Sequence, residues 1–336
     1  MSAGEVSHKE RVESTLKGIE TDRPVVSAWR HFYDKENSRE DLVESMISFQ
    51  KRFDWDFVKI NSRASYHVED WGVRFRFSDD PLIKPVAEAF PVAGKEDWKK
   101  IEPLNHRNGS LGEILEAGKG ILKRVGDEAY CLPTIFSPLS IAADLVDGEQ
   151  RFQNLIKEGP DGLHRALNAI TATFEAYVRD FIGAGMAGIF FATTEWASRD
   201  RITEEEYLEF GRPYDLRVLH AAGDGFFNVV HVCKTNNMLP LFRDYPAPVM
   251  SWNPFEVGNL SLHQAAQIMD KIFLAGVDQN GVLLNGSRDQ IKQQVESSLK
   301  DVPSGRLMVA PGCAVNVNTP DDNLVAFGDA ARGWKP

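Results

Sequence analysis

Short apolar runs rich in Val, Ile and Phe recur along the chain and predict eight buried β-strands. Clusters of Gly, Pro and Asn separate the runs, and most runs do not alternate with polar residues, as is typical of strands covered on both faces. The predicted strands are residues 25–29, 57–61, 129–136, 188–194, 226–233, 249–253, 272–277 and 307–311.

Amphipathic segments with helical spacing lie between these strands. Ser38-Arg39-Glu40-Asp41 and Thr203-Glu204-Glu205-Glu206 are typical helix starts, because a hydroxyl caps the first turn and acidic residues face its positive end. Strands that alternate with helices over 336 residues predict an α/β protein with a (β/α)8 TIM barrel, as a single domain over residues 1–336. The predicted helices are residues 38–53, 162–182, 203–222, 260–271, 287–299 and 319–331.

The chain is longer than a typical barrel of roughly 250 residues. We assign the surplus to a leading helical segment, residues 1–22, and to an excursion after the second strand, residues 65–108. Residues 71–77 of the excursion predict a hairpin. A doubly wound sheet is the structural alternative, but no G-x-G-x-x-G motif follows a predicted strand to support it.

The charge balance is acidic, since 38 Lys and Arg against 49 Asp and Glu give a formal net charge of −11. No run rich in Lys or Arg stands out, so nucleic acids and anionic membranes are not expected partners. No apolar stretch approaches the roughly 20 residues of a membrane span, and residues 1–20 lack the apolar core of a signal peptide. Three cysteines are too few for a disulfide framework, so we expect a cytoplasmic protein with free or metal-bound thiols.

Chemistry in a (β/α)8 barrel is located at the C-terminal ends of the strands. His231 and Cys233 lie two apart in the fifth predicted strand, so their side chains are expected on the same side, and Cys313 follows the eighth strand. One imidazole and two thiolates favour Zn²⁺ with an open fourth position. The alternative is that the three residues are ordinary core side chains, which is how we interpret Cys131 within the third strand.

Other side chains at predicted strand ends are candidates for substrate contact or catalysis. Glu195 is a candidate general base or fourth metal ligand, and the alternative is a solvated loop acid. Asp278 is a candidate substrate-orienting carboxylate, and the alternative is a helix cap. Cationic and aromatic groups at these ends would bind an anionic substrate group or line an apolar pocket, unless they only pack at the barrel rim. These remaining strand-end candidates, with the amide at the second strand end, are Arg30, His31, Asn61, Arg63, Trp196 and Trp252.

With these residues identified, the chain resembles the uroporphyrinogen decarboxylase superfamily from about residue 9 to residue 332. The resemblance rests on the order of several short motifs, and it independently implies a (β/α)8 barrel. The motifs include Arg11-Val12 with Asp22-Arg23-Pro24, Phe136-Ser137-Pro138-Leu139, Gly183-Ala184-Gly185-Met186-Ala187-Gly188, His231-Val232-Cys233, Ala310-Pro311-Gly312-Cys313 and Asn318-Thr319-Pro320.

The resemblance separates into two branches. True decarboxylases carry several arginines after the first strand, where this chain has only Arg30, and an essential aspartate at the place of Asn61. The other branch, similar to methylcobalamin:coenzyme M methyltransferases, has a zinc motif of H-x-C with a distant cysteine. His231, Cys233 and Cys313 match that motif residue by residue.

The leading hypothesis is therefore a zinc-dependent methyltransferase that moves a methyl group between a cobalamin cofactor and a thiol, a methoxy compound or a similar small substrate. No D-x-H-x-x-G loop, the motif of corrinoid-binding proteins, occurs in the chain, so the corrinoid is expected on a separate protein. A homodimer is one option for the oligomeric state. The alternative is a metal-independent, decarboxylase-like lyase that clamps a carboxylated ring with Arg30 and Arg63. A third hypothesis is a non-catalytic metal- or tetrapyrrole-binding protein, because a fold alone does not determine function.

Overall fold

Seven parallel strands form the central sheet, and neighbours in the sheet follow one another along the chain. The computed structural model describes residues 6–335. The strands are β1 (Phe57–Ile60), β4 (Tyr130–Phe136), β5 (Phe190–Ala192), β6 (Val229–His231), β7 (Val249–Ser251), β8 (Ile272–Val277) and β9 (Leu307–Pro311), and the excursion adds β2 (Arg74–Arg76) and β3 (Val86–Ala89). Each parallel strand lies within one of the predicted runs.

The first predicted strand, residues 25–29, does not form a regular strand. Val26 forms an isolated parallel bridge to Val309 of β9, and the Asp56 amide before β1 donates to the Val26 carbonyl at 2.9 Å. The Val26 amide donates to the Asp56 carboxylate at 2.8 Å instead of to a strand carbonyl, which interrupts the ladder. The protein is thus an α/β fold with a curled seven-stranded parallel sheet, and within residues 6–335 the first predicted strand contributes only the isolated bridge of Val26.

Helices cover the outside of the sheet. They are α1 (His8–Leu16), α2 (Arg39–Phe53), α3 (Tyr66–Glu69), α4 (Gly109–Val125), α5 (Pro138–Asp144), α6 (Glu149–Glu158), α7 (Pro160–Gly183), α8 (Glu204–Phe210), α9 (Arg212–Ala221), α10 (Leu262–Ile268), α11 (Val282–Asn285), α12 (Arg288–Lys300) and α13 (Asp321–Arg332), with 3₁₀ turns at Lys95–Lys100 and Leu239–Phe242. Across residues 6–335, no helix combines the length and the apolar character needed to cross a membrane.

The single helix predicted over residues 203–222 is wrong, because two helices, α8 and α9, meet at Gly211. Pro213 lies in the first turn of α9, and inside a continuous helix proline would lack the amide hydrogen for the carbonyl four residues earlier and would clash with it. A Cβ atom at Gly211 would lie 2.8 Å from the Tyr207 ring, so the junction also needs a glycine.

The two segments predicted in addition to the strands and helices of the sheet contain regular structure. Strands β2 and β3 pair antiparallel, so the hairpin predicted at residues 71–77 has its second strand further along the chain. Helix α1 belongs to the predicted leading helical segment, of which residues 1–5 lie outside the described residues.

Two apolar clusters occupy the two faces of the sheet. The larger cluster lies between the sheet and the helices. The smaller contains Phe57, Leu132, Phe190 and Val229, which alternate along their strands with members of the larger one. Lys59 lies two residues after Phe57, so it projects from the face that carries the smaller cluster. This placement brings the Lys59 ammonium group to the candidate site next to that cluster.

Candidate metal centre

His231, Cys233 and Cys313 converge at the C-terminal edge of the sheet. Their ligand atoms all lie within 4.8 Å of one another, and the two sulfurs are 3.6 Å apart. The sequence pattern predicted Cys233 on the same strand as His231, but strand β6 ends at His231 and Cys233 lies in the loop that follows. The left-handed conformation of Lys234, with φ of 69°, turns the chain directly after this cysteine.

The approach of Cys313 depends on the preceding glycine. A Cβ atom at Gly312 would lie 2.5 Å from the Cβ of Asn253, a separation that real side chains do not tolerate. Glycine therefore lets the loop after β9 pass against the loop after β7 and brings Cys313 close to Cys233.

The two thiols act as one acid–base pair. Their mutual hydrogen bond lowers the pKa of Cys313 well below its usual value and raises that of Cys233, because the pair shares a proton. A cation between the sulfurs would replace that proton. Cys131, by contrast, is fully buried in the core, and burial raises its pKa to about 12.

His231 is oriented for binding through its Nε2 atom. Its Nδ1 atom lies 3.1 Å from the Ser251 hydroxyl, whereas Nε2 is buried and has no hydrogen-bond partner among the described residues. A second group on the distal nitrogen is the usual way in which a metal-binding histidine is held. With zinc–sulfur bonds of about 2.3 Å, tetrahedral geometry places two sulfurs roughly 3.8 Å apart, which fits the observed pair.

A cavity of about 270 Å³ lies against the three ligands. Of the strand-end candidates named from the sequence, Asn61, His31 and Glu195 line it. The His31 ring bonds to Glu36 at 2.8 Å, and Glu195 lies at the rim with Arg201 at 3.3 Å. The structure therefore brings these three side chains into one cavity with the candidate metal ligands.

Lys59 was not predicted as a site residue, yet it lines the cavity. Its ammonium donates to Asn61 Oδ1 and lies 4.7 Å from the centre of the Phe190 ring. Burial lowers its pKa to about 8, although the nearby Cys313 and Cys233 sulfurs act in the opposite direction. A lysine inside the apolar run Phe57–Ile60, two residues before a strand-end amide, is the sequence signal that identifies it.

His67 and Asp144 form a second pair on the cavity wall that the sequence did not indicate. His67 Nε2 lies 2.8 Å from the Asp144 carboxylate, and its ring packs 4.2 Å from the ring of Phe136. The short helix α3 presents His67, and the C-terminal residue of α5 is Asp144. Neither position follows a predicted strand directly, so listing strand ends does not find them.

Both predicted arginines contact protein carboxylates outside the cavity lining. Arg63 is buried and bonds to Glu69 and Glu113 at 2.8 Å each. Arg30 lies 3.6 Å from Asp321 and packs over the ring of Phe32.

The remaining candidates also lie away from the cavity wall. Trp196 packs edge-on against Phe152, and the indole of Trp252 donates to the Leu260 carbonyl at 2.8 Å. The Asp278 carboxylate accepts a hydrogen bond from the Asn280 backbone amide at 3.1 Å, a contact that stabilises the turn after β8. Their substrate contact and catalytic role stay predictions.

The sequence matches the uroporphyrinogen decarboxylase (URO-D) family over residues 8–334. The chain belongs to the URO-D family. This result confirms the resemblance inferred from the ordered motifs. Members of the family that are similar to this chain are named as methyltransferases or as decarboxylases, so family membership by itself does not identify the reaction.

The curated relatives include methyltransferases and decarboxylases. A Methylcobamide:CoM methyltransferase MtbA from Methanosarcina acetivorans is 25% identical over 255 residues, 73% of this chain and 70% of the relative. A uroporphyrinogen decarboxylase from Crocosphaera subtropica is 22% identical over 314 residues, 90% of this chain and 84% of the relative. A solved methyltransferase from Methanosarcina mazei aligns with a TM-score of 0.80 at 21% identity, over 98% of this chain and 99% of that one. This structural likeness supports a shared URO-D-type fold.

Proposed function

We propose that this URO-D family protein is a zinc-dependent, corrinoid-linked methyltransferase. It would move a methyl group between a cobamide on a separate protein and a thiol, methoxy or similar small substrate in the cavity. The names of the MtbA relatives support the reaction class. The free thiols fit a reducing cytoplasm, and the bridge from Val26 to Val309 of β9 fits a complete (β/α)8 barrel.

One observation carries this proposal: an imidazole and two thiols converge with the Nε2 atom of His231 unpartnered. His231, Cys233 and Cys313 would hold the zinc and leave a fourth position for substrate. A zinc bound there supplies Lewis acidity, which lowers the pKa of a thiol or polarises a methoxy oxygen. Ser251 would keep the His231 ring in the tautomer that offers Nε2.

The surrounding residues would bind the small substrate and exclude the large cofactor. A cavity of about 270 Å³ is at the low end of small-molecule sites, so a corrin macrocycle would approach from outside the mouth. Trp29 and Phe190 would exclude water from the substrate. Glu195, at the rim with Arg201 and Lys234, would accept or supply the accompanying proton.

A decarboxylase-like lyase is the second candidate function. It is favoured by the decarboxylase relative, which covers 90% of this chain. The proposed carboxylate clamps, however, already bind protein carboxylates, since Arg30 lies near Asp321 and Arg63 bonds to Glu69. An amide at Asn61 also cannot carry the negative charge of the decarboxylase aspartate.

The first test is the zinc content per chain, measured by elemental analysis on untagged protein expressed with zinc. We expect about one zinc in the wild type and in the core control Cys131→Ser, and little in Cys233→Ser. The wild type should then transfer methyl groups between a methylated corrinoid protein and a small thiol. A wild type without zinc, or a Cys131→Ser protein that loses it equally, would contradict the metal site and leave the lyase as the better hypothesis.

A further inference from the structure

Three unpartnered polar atoms come from one short segment of the cavity wall. Asn61 Nδ2, Ser62 Oγ and His67 Nδ1 are buried, and no hydrogen-bond partner for them exists within residues 6–335. A buried polar atom without a hydrogen-bond partner destabilises the folded protein. Such atoms gathered in one cavity indicate a wall that is completed by a bound ligand.

The chemistry of this wall is set by the lysine beneath it. An ammonium group only donates hydrogen bonds, so Lys59 holds Asn61 with Oδ1 towards Nζ and leaves Nδ2 as a donor. The Ser62 hydroxyl can donate as well, and the ammonium has further donors after its bond to Asn61. The wall therefore offers several donors close together and one positive charge.

That positive charge has no carboxylate of its own. Within the described part of the chain, Lys59 forms no salt bridge, and the nearby Glu36 already accepts from the Phe32 amide at 2.7 Å and bonds the His31 ring. Two thiolates and a divalent cation would balance each other. Lys59 would then remain a buried cation without a partner, which proteins normally compensate with an anion.

We propose that Lys59, Asn61 and Ser62 form an oxyanion subsite that binds a carboxylate or sulfonate group of the substrate. An oxyanion accepts from all three donors and neutralises the lysine. This inference rests on the proposed function: the substrate has two ends, a heteroatom at His231, Cys233 and Cys313 and an anionic group at Lys59 in the same cavity. The subsite would distinguish charged from neutral substrates of equal size.

Direct binding measurements test this subsite without turnover. Calorimetry on the zinc-loaded protein compares 3-mercaptopropionate and 2-mercaptoethanesulfonate with the neutral isostere 3-mercaptopropanamide. We expect each anion to bind about 10- to 100-fold more tightly than the amide, which is the range of a hydrogen bond to a charged group. Carboxylate or sulfonate as the tighter ligand identifies the anionic group of the substrate, and both results support the subsite.

Variants locate the effect. Lys59→Met should abolish the preference for the anions, whereas Lys84→Met, which removes a second lysine at the cavity, should keep it because an exposed rim charge is screened. If Lys59→Met does not fold, Asn61→Ala and Ser62→Ala should each reduce the preference severalfold. An amide that binds the wild type as tightly as the anions would overturn the proposal, as would an unchanged preference in Lys59→Met or, should that variant not fold, in both alanine variants.

The same comparison on metal-stripped protein separates this inference from the proposed function. Propionate and propionamide lack a thiol, so their binding does not need the metal. A Lys59-dependent preference for propionate would support the subsite even if zinc and methyl transfer were not found. Absence of that preference in metal-stripped Cys313→Ser, which removes the Cys313 thiolate near Lys59, would contradict the subsite even if the wild type binds zinc.

Discussion

Ser251 connects the strand β7 to the candidate metal ligand His231. Its hydroxyl lies 3.1 Å from Nδ1 of the buried imidazole. Removing such a group frees the ring to rotate and to change tautomer, which typically costs 10- to 100-fold in metal affinity. We therefore expect Ser251→Ala to weaken zinc binding by about that factor in a competition experiment with a chelator.

The matched control is Ser27→Ala, since Ser27 is also a buried serine and its hydroxyl donates to the Phe57 carbonyl at 2.8 Å, away from the metal ligands. It should leave the zinc affinity within about twofold of the wild type. Equal zinc affinity in Ser251→Ala and the wild type would show that Ser251 does not orient the ligand.

Glu195 is the strand-end carboxylate that we propose as the proton carrier. It lines the cavity, with Arg201 at 3.3 Å and Lys234 at 4.0 Å, and remains partly exposed to solvent. A glutamine at this position has the size of glutamate and one acceptor oxygen, but its amide cannot accept and release a proton as a carboxylate does. Glu195→Gln should therefore reduce methyl transfer by about 10²-fold or more while zinc per chain stays close to that of the wild type. Parallel loss of zinc would identify Glu195 as the fourth ligand instead.

At the scale of secondary-structure elements, a buried carboxyl joins the helices α8 and α9 to the segment before β7. Asp215 accepts from Tyr207 at 2.5 Å and from Tyr245 at 3.1 Å, and it is fully buried. Burial raises its pKa to about 7, despite the opposing hydrogen bonds from the two tyrosines. Between about pH 4 and pH 7, the folded protein therefore keeps this proton, whereas the unfolded chain, with an Asp pKa of about 3.9, has released it.

This difference makes the free energy of unfolding depend on pH. Because the folded pKa is the higher one, the contribution of Asp215 is fully present below about pH 4 and declines as the pH rises to about 7. The decline is at most roughly 4 kcal/mol. In urea unfolding, the difference in stability between the wild type and Asp215→Asn should shift in favour of the variant over this pH range. A difference that does not change with pH would show that Asp215 ionises normally in the folded protein.

The elements were predictable where a local pattern determines them. The seven sheet strands coincide with apolar runs, and His231, Cys233 and Cys313 follow from strand-end position and residue type. What escaped prediction depends on distant partners. The Asp56 carboxylate occupies the Val26 amide and interrupts the first strand, and no periodicity reports this contact.

The site shows the same division between local and distant information. Arg63 was a candidate anion binder, but Glu113 lies 50 residues further along and bonds its guanidinium. Lys59 supplies a buried positive charge at the cavity instead, and its exposure to that cavity depends on Phe190 and Asn61 around it. Local sequence thus identified the chemistry of the candidate metal ligands but not the positive charge of Lys59 in the same cavity.

For the molecule as a whole, the core and the candidate metal ligands are separate. The two apolar clusters fill both faces of the sheet, whereas Cys233 and Cys313 lie in loops beyond the strand ends. The fold is therefore expected to persist without metal, and zinc should stabilise it only by binding the folded state. That stabilisation is about 4 kcal/mol when free zinc exceeds its Kd a thousandfold.

Zinc added to metal-stripped wild type should raise the Tm by several degrees without changing the far-ultraviolet circular dichroism. Cys313→Ser should show the wild-type spectrum but little or no zinc-dependent shift, because it lacks a ligand and not a core side chain. Cys131→Ser, altered within the core, should keep the shift even if its baseline Tm is lower. Loss of the wild-type spectrum on metal removal would contradict this separation, because it would show that the fold needs bound zinc.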